Sequence, residues 1–431
     1  MKENAPKIAG PHVVVVGVNY TTTPLWIREK LSIPRSQINE ALESLRNYVP
    51  HGVILATCNR TEIYSIEDTS RHVEQSIRRF LTDWSVIPEE DLAPYFYQSR
   101  NYTAMRHLCR TASGLYSMII GEYEILGQVK QALDNAERCE MINLPLRNLF
   151  QHAIRTGRRV RDETQISKNA LSVSSVAVDL ATNVVGDIQN CRVLLIGAGE
   201  AGKLVAKALI QRGVTNISIA SRSSSRAQDL ALMLNGDCIG VDEIYPMMRA
   251  SDIVISCTGS PHYVVHQKGV EELMRYREGR PLVIVDIAVP RDVEASVKHI
   301  EGVFAYDIDD LDQVSEINRK EREKEVEKAM QIVDDEMENL RTRWQSLEAK
   351  PTITALKRRA EAIRQRQVQL GLKKLTSLTQ EEQQAIDTMT KALVNKLLHN
   401  PIKCLRENGY KNGEVNRLVH ELFDLDERGS N

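Results

Sequence analysis

Cys58 is the residue whose setting most readily suggests chemistry. It stands in Ala56-Thr57-Cys58-Asn59-Arg60-Thr61-Glu62-Ile63-Tyr64, directly after a β-branched run and where the chain turns polar. A thiol beside Arg60 and a backbone turn can ionise below its ordinary pKa and act as a nucleophile. The same residue type at a strand end also serves as a small buried filler, and the residues alone leave both readings open. The other cysteines show no CxxC pair and no metal-ligand spacing, which predicts a reducing compartment, no disulfide framework and no metal site.

A second group is built to hold phosphate. Arg192 to Ile196 reads as a strand that runs into Gly197-Ala198-Gly199-Glu200-Ala201-Gly202 and then a helix, AGKLVAKALIQRG. In that context the three glycines allow a tight turn, backbone approach to a pyrophosphate and close packing of helix on strand. The next strand ends in Ser221-Arg222-Ser223, with no carboxylate for a ribose 2′-hydroxyl. Arginine and hydroxyl groups there suit a 2′-phosphate, so the expected cofactor is NADPH.

A third group runs from His107 and Ser117 through Glu122, Tyr123 and Glu124 to Gln128, polar groups beside Gly121 and Gly127 with apolar flanks. Its residues describe a binding surface or an ordinary solvated helix face.

These groups need elements to position them. Residues 12–20 and 53–57 read as strands, with helical spacing between them at Ile38, Leu42 and Leu45, and residues 102–164 read as helices. Strands then recur at 192–196, 216–220, 252–256 and 282–287 with helix-length intervals, the spacing of parallel βαβ units. Val326, Met330, Val333, Met337, Leu340, Trp344 and Leu347 step by four and three, which predicts a long amphipathic helix ending before Pro351 and offering an apolar seam to a second copy. The expected fold is a multidomain α/β protein with an α+β domain over 1–165, a Rossmann-type doubly wound domain over 166–308, and a long spinal helix leading to an all-α dimerisation domain over 309–431.

The 431 residues carry 56 Lys plus Arg against 58 Asp plus Glu, a formal charge of -2, so no bulk cationic field draws nucleic acid or membrane to the chain. Any polyanion has to meet local clusters, such as Arg155, Arg158, Arg159 and Arg161, or Lys357, Arg358, Arg359, Arg364 and Arg366. No apolar leader and no membrane-length apolar run occurs, which predicts a soluble protein in cytoplasm, or in plastid stroma after removal of a transit peptide.

From residue 12 to about 425 the chain resembles the glutamyl-tRNA reductase family, NADPH enzymes that open five-carbon tetrapyrrole synthesis. The resemblance rests on TCNRTEIY at 57–64, ASGLYSMIIGE at 112–122 followed by ILGQVK, TQISKNALSVSSVA at 164–177, GAGEAGK at 197–203 and VDIAVPRDVE at 285–294. Tyr20 and the pair Tyr123-Glu124 depart from the family pattern. The resemblance implies that Cys58 attacks the ester of glutamyl-tRNA(Glu), giving a thioester that NADPH reduces to glutamate-1-semialdehyde. It makes His107 a further catalytic residue, and it makes Thr57, Asn59, Arg60, Ser117, Glu122, Tyr123, Glu124 and Gln128 the substrate's contacts. It also implies a homodimer through the C-terminal helices, transient hand-over to glutamate-1-semialdehyde aminomutase, and no membrane or DNA partner. Two competing readings of the residues are an NADP-linked dehydrogenase of a free acid or thioester, and an NADP(H)-sensing binding protein in which Cys58 is structural.

Overall fold

The computed structural model describes residues 11–67, 72–167, 172–311, 323–375, 378–408 and 414–425; residues 168–171 of the TQISKNALSVSSVA motif lie outside them. The N-terminal part is a four-stranded sheet in the order β2-β3-β1-β4, from β1 (His12–Asn19), β2 (Val53–Ala56), β3 (Arg60–Glu67) and β4 (Tyr97–Arg100). β2 pairs antiparallel with β3, and β1 with β4. Gly17 allows the close approach of β1 to β3, since a Cβ there would lie 2.5 Å from the Thr61 carbonyl oxygen. Around the sheet lie α1 (Leu25–Leu31), α2 (Ile38–Leu45), α3 (Val73–Ser85), α4 (Glu89–Leu92), α5 (Asn101–Ala112), α6 (Glu124–Arg138) and α7 (Leu144–Glu163). The sequence reading misses β3 because Arg60 and Glu62 interrupt its apolar pattern, yet both are buried. Period-two alternation marks a strand only when its polar face meets water.

The second part opens with α8 (Val173–Val185), started by a reciprocal capping box between Ser172 and Ser175. Six parallel strands follow: β5 (Arg192–Ile196), β6 (Asn216–Ala220), β7 (Asp237–Ile239), β8 (Ile253–Ser256), β9 (Leu282–Asp286) and β10 (Val303–Tyr306). Their order, β10-β9-β8-β5-β6-β7, is the doubly wound one, with the reversal between β5 and β8. Alternate residues feed opposite faces: Val193 and Leu195 join one core with α8 and α9 (Glu200–Gln211), Leu194 and Ile196 another with α11 and α12. The remaining helices here are α10 (Ser224–Leu234), α11 (Ile244–Ala250) and α12 (Gln267–Arg275). The edge strands β7 and β10, three and four residues long, are too short to stand out in the sequence.

The third part is α13 (Glu323–Lys374), α14 (Gln380–Asn408) and α15 (Glu414–Phe423), around a core of Leu356, Leu398, Leu405 and Val419. Two expectations are corrected. The long helix does not end before Pro351: a proline removes one backbone donor, and the hydrogen bonds on either side carry this 52-residue helix through. The seam is not left open for a second copy either, because Val333, Met337, Leu340 and Trp344 are buried within the chain and the Trp344 indole donates to the Pro11 carbonyl. Met330, nearer the start of the helix, is exposed, and further exposed apolar residues lie beyond Trp344, among them Leu370, Leu375, Met389, Leu393, Leu397, Leu418 and Leu422.

The chain forms two compact units. One comprises Val14–Arg100 and Ala104–Val333, and so contains the Cys58 hairpin and the parallel sheet; the other comprises the helices from Asp334 on, with residues 11–13 and 101–103. No described helix is long and apolar enough to cross a membrane.

Candidate active site

Cys58 sits at the tip of the hairpin that joins β2 to β3. The Thr57 amide donates to the Arg60 carbonyl at 2.8 Å, and the Thr57 hydroxyl accepts from the amides of Asn59 and Arg60, both at 3.1 Å. Thr57 therefore builds the turn that presents the thiol. The Asn59 carbonyl accepts from the Tyr20 amide, while the Asn59 side-chain oxygen is buried without a partner among the described residues. The Cys58 carbonyl accepts from Arg28 Nη1 at 3.1 Å.

The expectation of a low thiol pKa is corrected. Burial, then the charges of Glu122 and Glu124, push Cys58 up to about 12, against the opposing pull of Arg28. Arg60 does not activate it. Its guanidinium turns inward to Glu62 at 2.7 Å, Thr111 at 3.3 Å and the Tyr116 carbonyl, and Arg60 is only 3% exposed.

Glu62 is the hub beneath the hairpin. Its fully buried carboxylate accepts from Arg60, from Tyr64 and from Tyr97, and meets His107 Nε2 at 3.0 Å. Burial alone would raise Glu62, but His107, Arg60 and the hydrogen bonds hold it well below the usual carboxylate range. The His107 ring packs between Tyr97 and Tyr116, with centroids 5.5 and 5.3 Å away. Arg60 and Glu62, two apart on β3, point to the same face, which is the signal in the sequence that would have paired them.

Ser117 and Glu122 are buried together. Glu122 is raised to about 7: burial and, less strongly, Glu124 push it up, against the pull of the Ser117 hydroxyl, Arg60 and Arg161. Glu124 opens α6 and is raised by burial, with Arg35 opposing; Gln128 lies one turn on along the same face. Tyr123 is exposed, and Arg161 lies over its ring at 5.1 Å while donating to the carbonyls of Glu122 and Tyr123. Several arginines of the basic clusters are engaged within the chain: Arg159 with Glu163, Arg359 with Asp424, and Arg364, buried, with Glu361 and Asp387.

The nucleotide site lies at the carboxyl end of β5. Gly197 takes a φ of +117°, and a Cβ on Gly202 would lie 2.2 Å from the Gly197 carbonyl oxygen, so the turn requires glycine at both. Among the described residues, none beyond Gly199 and its chain neighbours comes within 4 Å of where a Cβ on Gly199 would project, which leaves that space for a phosphate at the N-terminus of α9, whose first turn holds Glu200, Ala201 and Gly202. Ala198 packs into the core beneath. Ser221 and Arg222 follow β6; burial raises the Asp292 carboxyl, and the hydrogen bonds from Thr258 and Ser256, with a smaller pull from Arg222, oppose that rise. Asp292, which the sequence reading misses, accepts from Ser256 at 2.7 Å and from the Thr258 amide at 2.7 Å, fixing the end of β8. Among the described residues no cluster could hold a metal ion.

A doubly wound sheet with this glycine turn, and a cysteine hairpin in the same compact unit, define a pyridine-nucleotide-binding oxidoreductase. Residues 16–164 match the glutamyl-tRNA(Glu) reductase N-terminal domain, 179–314 the shikimate/quinate 5-dehydrogenase domain, and 328–425 the glutamyl-tRNA(Glu) reductase dimerisation domain. The glutamyl-tRNA reductase of Carboxydothermus hydrogenoformans is 40% identical over 426 residues, covering 97% of this chain and 94% of that protein. That of Bacillus subtilis is 35% identical over 422 residues, covering 96% and 92%. The solved glutamyl-tRNA reductase of Methanopyrus kandleri is 32% identical, covers 96% of this chain and 99% of its own, and superposes with a TM-score of 0.51. The chain belongs to the glutamyl-tRNA reductase family.

Proposed function

We propose that the chain reduces glutamyl-tRNA(Glu) to glutamate-1-semialdehyde with NADPH, through a thioester on Cys58, and so performs the first step of five-carbon 5-aminolevulinate synthesis. The observation that carries this reading is the Cys58 hairpin, held rigidly over the Glu62 hub in the same compact unit as the glycine turn.

Cys58 Sγ attacks the ester carbonyl carbon. The bond from that carbon to the tRNA 3′-oxygen breaks, and the oxygen leaves with a proton. The Cys58 thioester then accepts a hydride at the same carbon, and the resulting hemithioacetal loses the sulfur to give the aldehyde. A thiolate suits both the attack and the departure. NADPH, held by Gly197 to Gly202 with Ser221 and Arg222 toward its 2′-phosphate, would supply the hydride.

The raised thiol pKa gives the acidic residues a second role. The substrate's α-ammonium would pair with Glu122 and Glu124, with Ser117, Tyr123 and Gln128 at the rim. Pairing neutralises the two charges that help keep Cys58 protonated and leaves Arg28 to favour the thiolate, so substrate binding activates the nucleophile. Glu122→Gln should therefore speed alkylation of Cys58 by iodoacetamide near neutral pH, by about tenfold for each unit by which the thiol pKa falls. An unchanged rate would remove this coupling. Thr57 and Asn59 shape the hairpin's contact with the substrate. Arg60 and His107, both fixed by Glu62, are assigned to the substrate's side-chain carboxylate and to proton transfer.

The proposed division of labour is substrate over 1–165, nucleotide over 166–308 and a homodimer contact over 309–431, in the cytoplasm. Its product, a reactive aldehyde, favours direct transfer to an aminomutase. Arg222→Ala should weaken NADPH far more than NADH, because only NADPH carries the 2′-phosphate. Equal losses in fluorescence titrations would place that phosphate elsewhere.

The reading is tested by incubating the protein with glutamyl-tRNA without NADPH and taking an intact mass with peptide mapping. A glutamyl adduct on Cys58 that discharges to the semialdehyde on adding NADPH is expected. A folded protein that binds NADPH but gives neither adduct nor tRNA-dependent NADPH oxidation would favour a dehydrogenase with another substrate.

A further inference from the structure

Two neighbouring residues of α1, Arg28 and Glu29, carry opposite charges into the nucleotide-binding part. The Glu29 carboxylate accepts three hydrogen bonds from Arg291: Nε at 2.7 Å, Nη2 at 2.9 Å and the backbone amide at 2.8 Å. The pair is largely shielded from water, with 13% and 14% of the two side chains exposed. Arg28 is 3% exposed and divides its guanidinium among the Thr23 carbonyl at 3.1 Å, Asp309 and the Cys58 carbonyl. One side chain thus ties Asp309, in the segment that follows β10, to the nucleophile's own backbone.

Arg291 sits on a braced turn. Asp286, before it, accepts from the amides of Ala288 and Val293, and Asp292, after it, holds Ser256 and Thr258 at the end of β8. In a sheet of this topology a ligand binds outside the carboxyl ends of the strands. The turn that Glu29 grips follows β9, at the same carboxyl end of the sheet as the glycine turn and two strands away from it. Leu25, Met118 and Ile119 pack into the same core as Ala198, Ile287 and Ile308, and Cys58 lies against it. A bidentate Arg–carboxylate pair fixes orientation as well as distance.

We propose that Glu29 and Arg28 are positioning residues that seat the hydride-bearing part of the protein on the Cys58 hairpin: Glu29 sets the approach through Arg291, and Arg28 links Asp309 to the Cys58 carbonyl. The inference rests on the thioester reading, since only a reaction split between two domains needs such a contact. Its signature is selective. Acyl transfer to Cys58 needs no nucleotide, whereas discharge of the thioester needs the two parts held to within about an ångström, and a misplacement of that size costs on the order of 10²-fold in rate.

The test uses the full-length chain and three variants, Glu29→Arg, Arg291→Glu and the double charge swap, with two single-turnover measurements: formation of the Cys58 adduct without NADPH, and discharge of the preformed adduct on adding it. Each single variant should form the adduct at a rate within about twofold of the parent and discharge it at least about tenfold more slowly, and the swap should restore most of the discharge rate. NADPH titrated into each variant should bind with unchanged affinity. Singles that lose adduct formation as much as discharge would show a merely structural role, and unaffected discharge or an unrescued swap would overturn the inference. A parent chain that never forms the adduct would instead overturn the thioester reading itself.

Discussion

Cys58→Ser is expected to abolish tRNA-dependent NADPH oxidation, with a fall on the order of 10³-fold or more, and to leave no glutamyl adduct in the intact mass. A serine hydroxyl lies further from ionisation than a thiol, and here burial and the charges of Glu122 and Glu124 already oppose ionisation. An ester in place of the thioester is also a poorer hydride acceptor, so both halves of the reaction suffer. The substitution removes one soft atom from a turn held by Thr57 and by the backbone, so the variant should fold and bind NADPH as the parent does. Substantial residual turnover in Cys58→Ser would exclude Cys58 as the nucleophile and return it to the role of a small buried residue.

The second large effect belongs to Glu62. Glu62→Gln removes the buried carboxylate that neutralises Arg60 and holds His107, Tyr64 and Tyr97. Breaking a buried pair from one side leaves an uncompensated charge, a cost of roughly 3–5 kcal/mol. The loss should appear as faster hydrogen exchange at β3 and α5 and as a lower first thermal transition. The pH dependence has a definite sign. Glu62 is held below its ordinary pKa of 4.5, so its stabilisation is fully present above that value and is lost as pH falls below it toward the depressed folded value. Glu62→Gln should flatten that acid limb. A variant with parental exchange at β3 and an unchanged acid limb would mean that the hub contributes little to this domain.

Much of this protein is legible in one dimension. The nucleotide site is local: a strand, a glycine turn and a helix contiguous in sequence carry both the geometry and the phosphate chemistry, so Gly197, Gly199 and Gly202 can be found without a fold. The parallel strands β5, β6, β8 and β9 announce themselves because strands covered on both faces are continuous β-branched runs. Cys58 is visible as an isolated thiol where a strand ends.

Tertiary structure decided what those residues experience. The Cys58 thiol is raised rather than lowered because its neighbours in space are Glu122 and Glu124, more than sixty positions away in the chain, while Arg60, two positions away, faces inward to Glu62. β3 escapes a pattern search because its charged residues are buried against partners from α5 and β4. The seam of the long helix carries the same four-and-three spacing whether its cover is a second copy or its own chain, and periodicity cannot tell the two apart; the structure buries Met337 and Trp344 within one chain. The contacts of Glu29 with Arg291 and of Arg28 with Asp309 join residues more than 250 positions apart. A charge in a sequence has no address until the fold supplies its partner, and for that reason the chemistry of the groups could be read from the chain while their pairing could not.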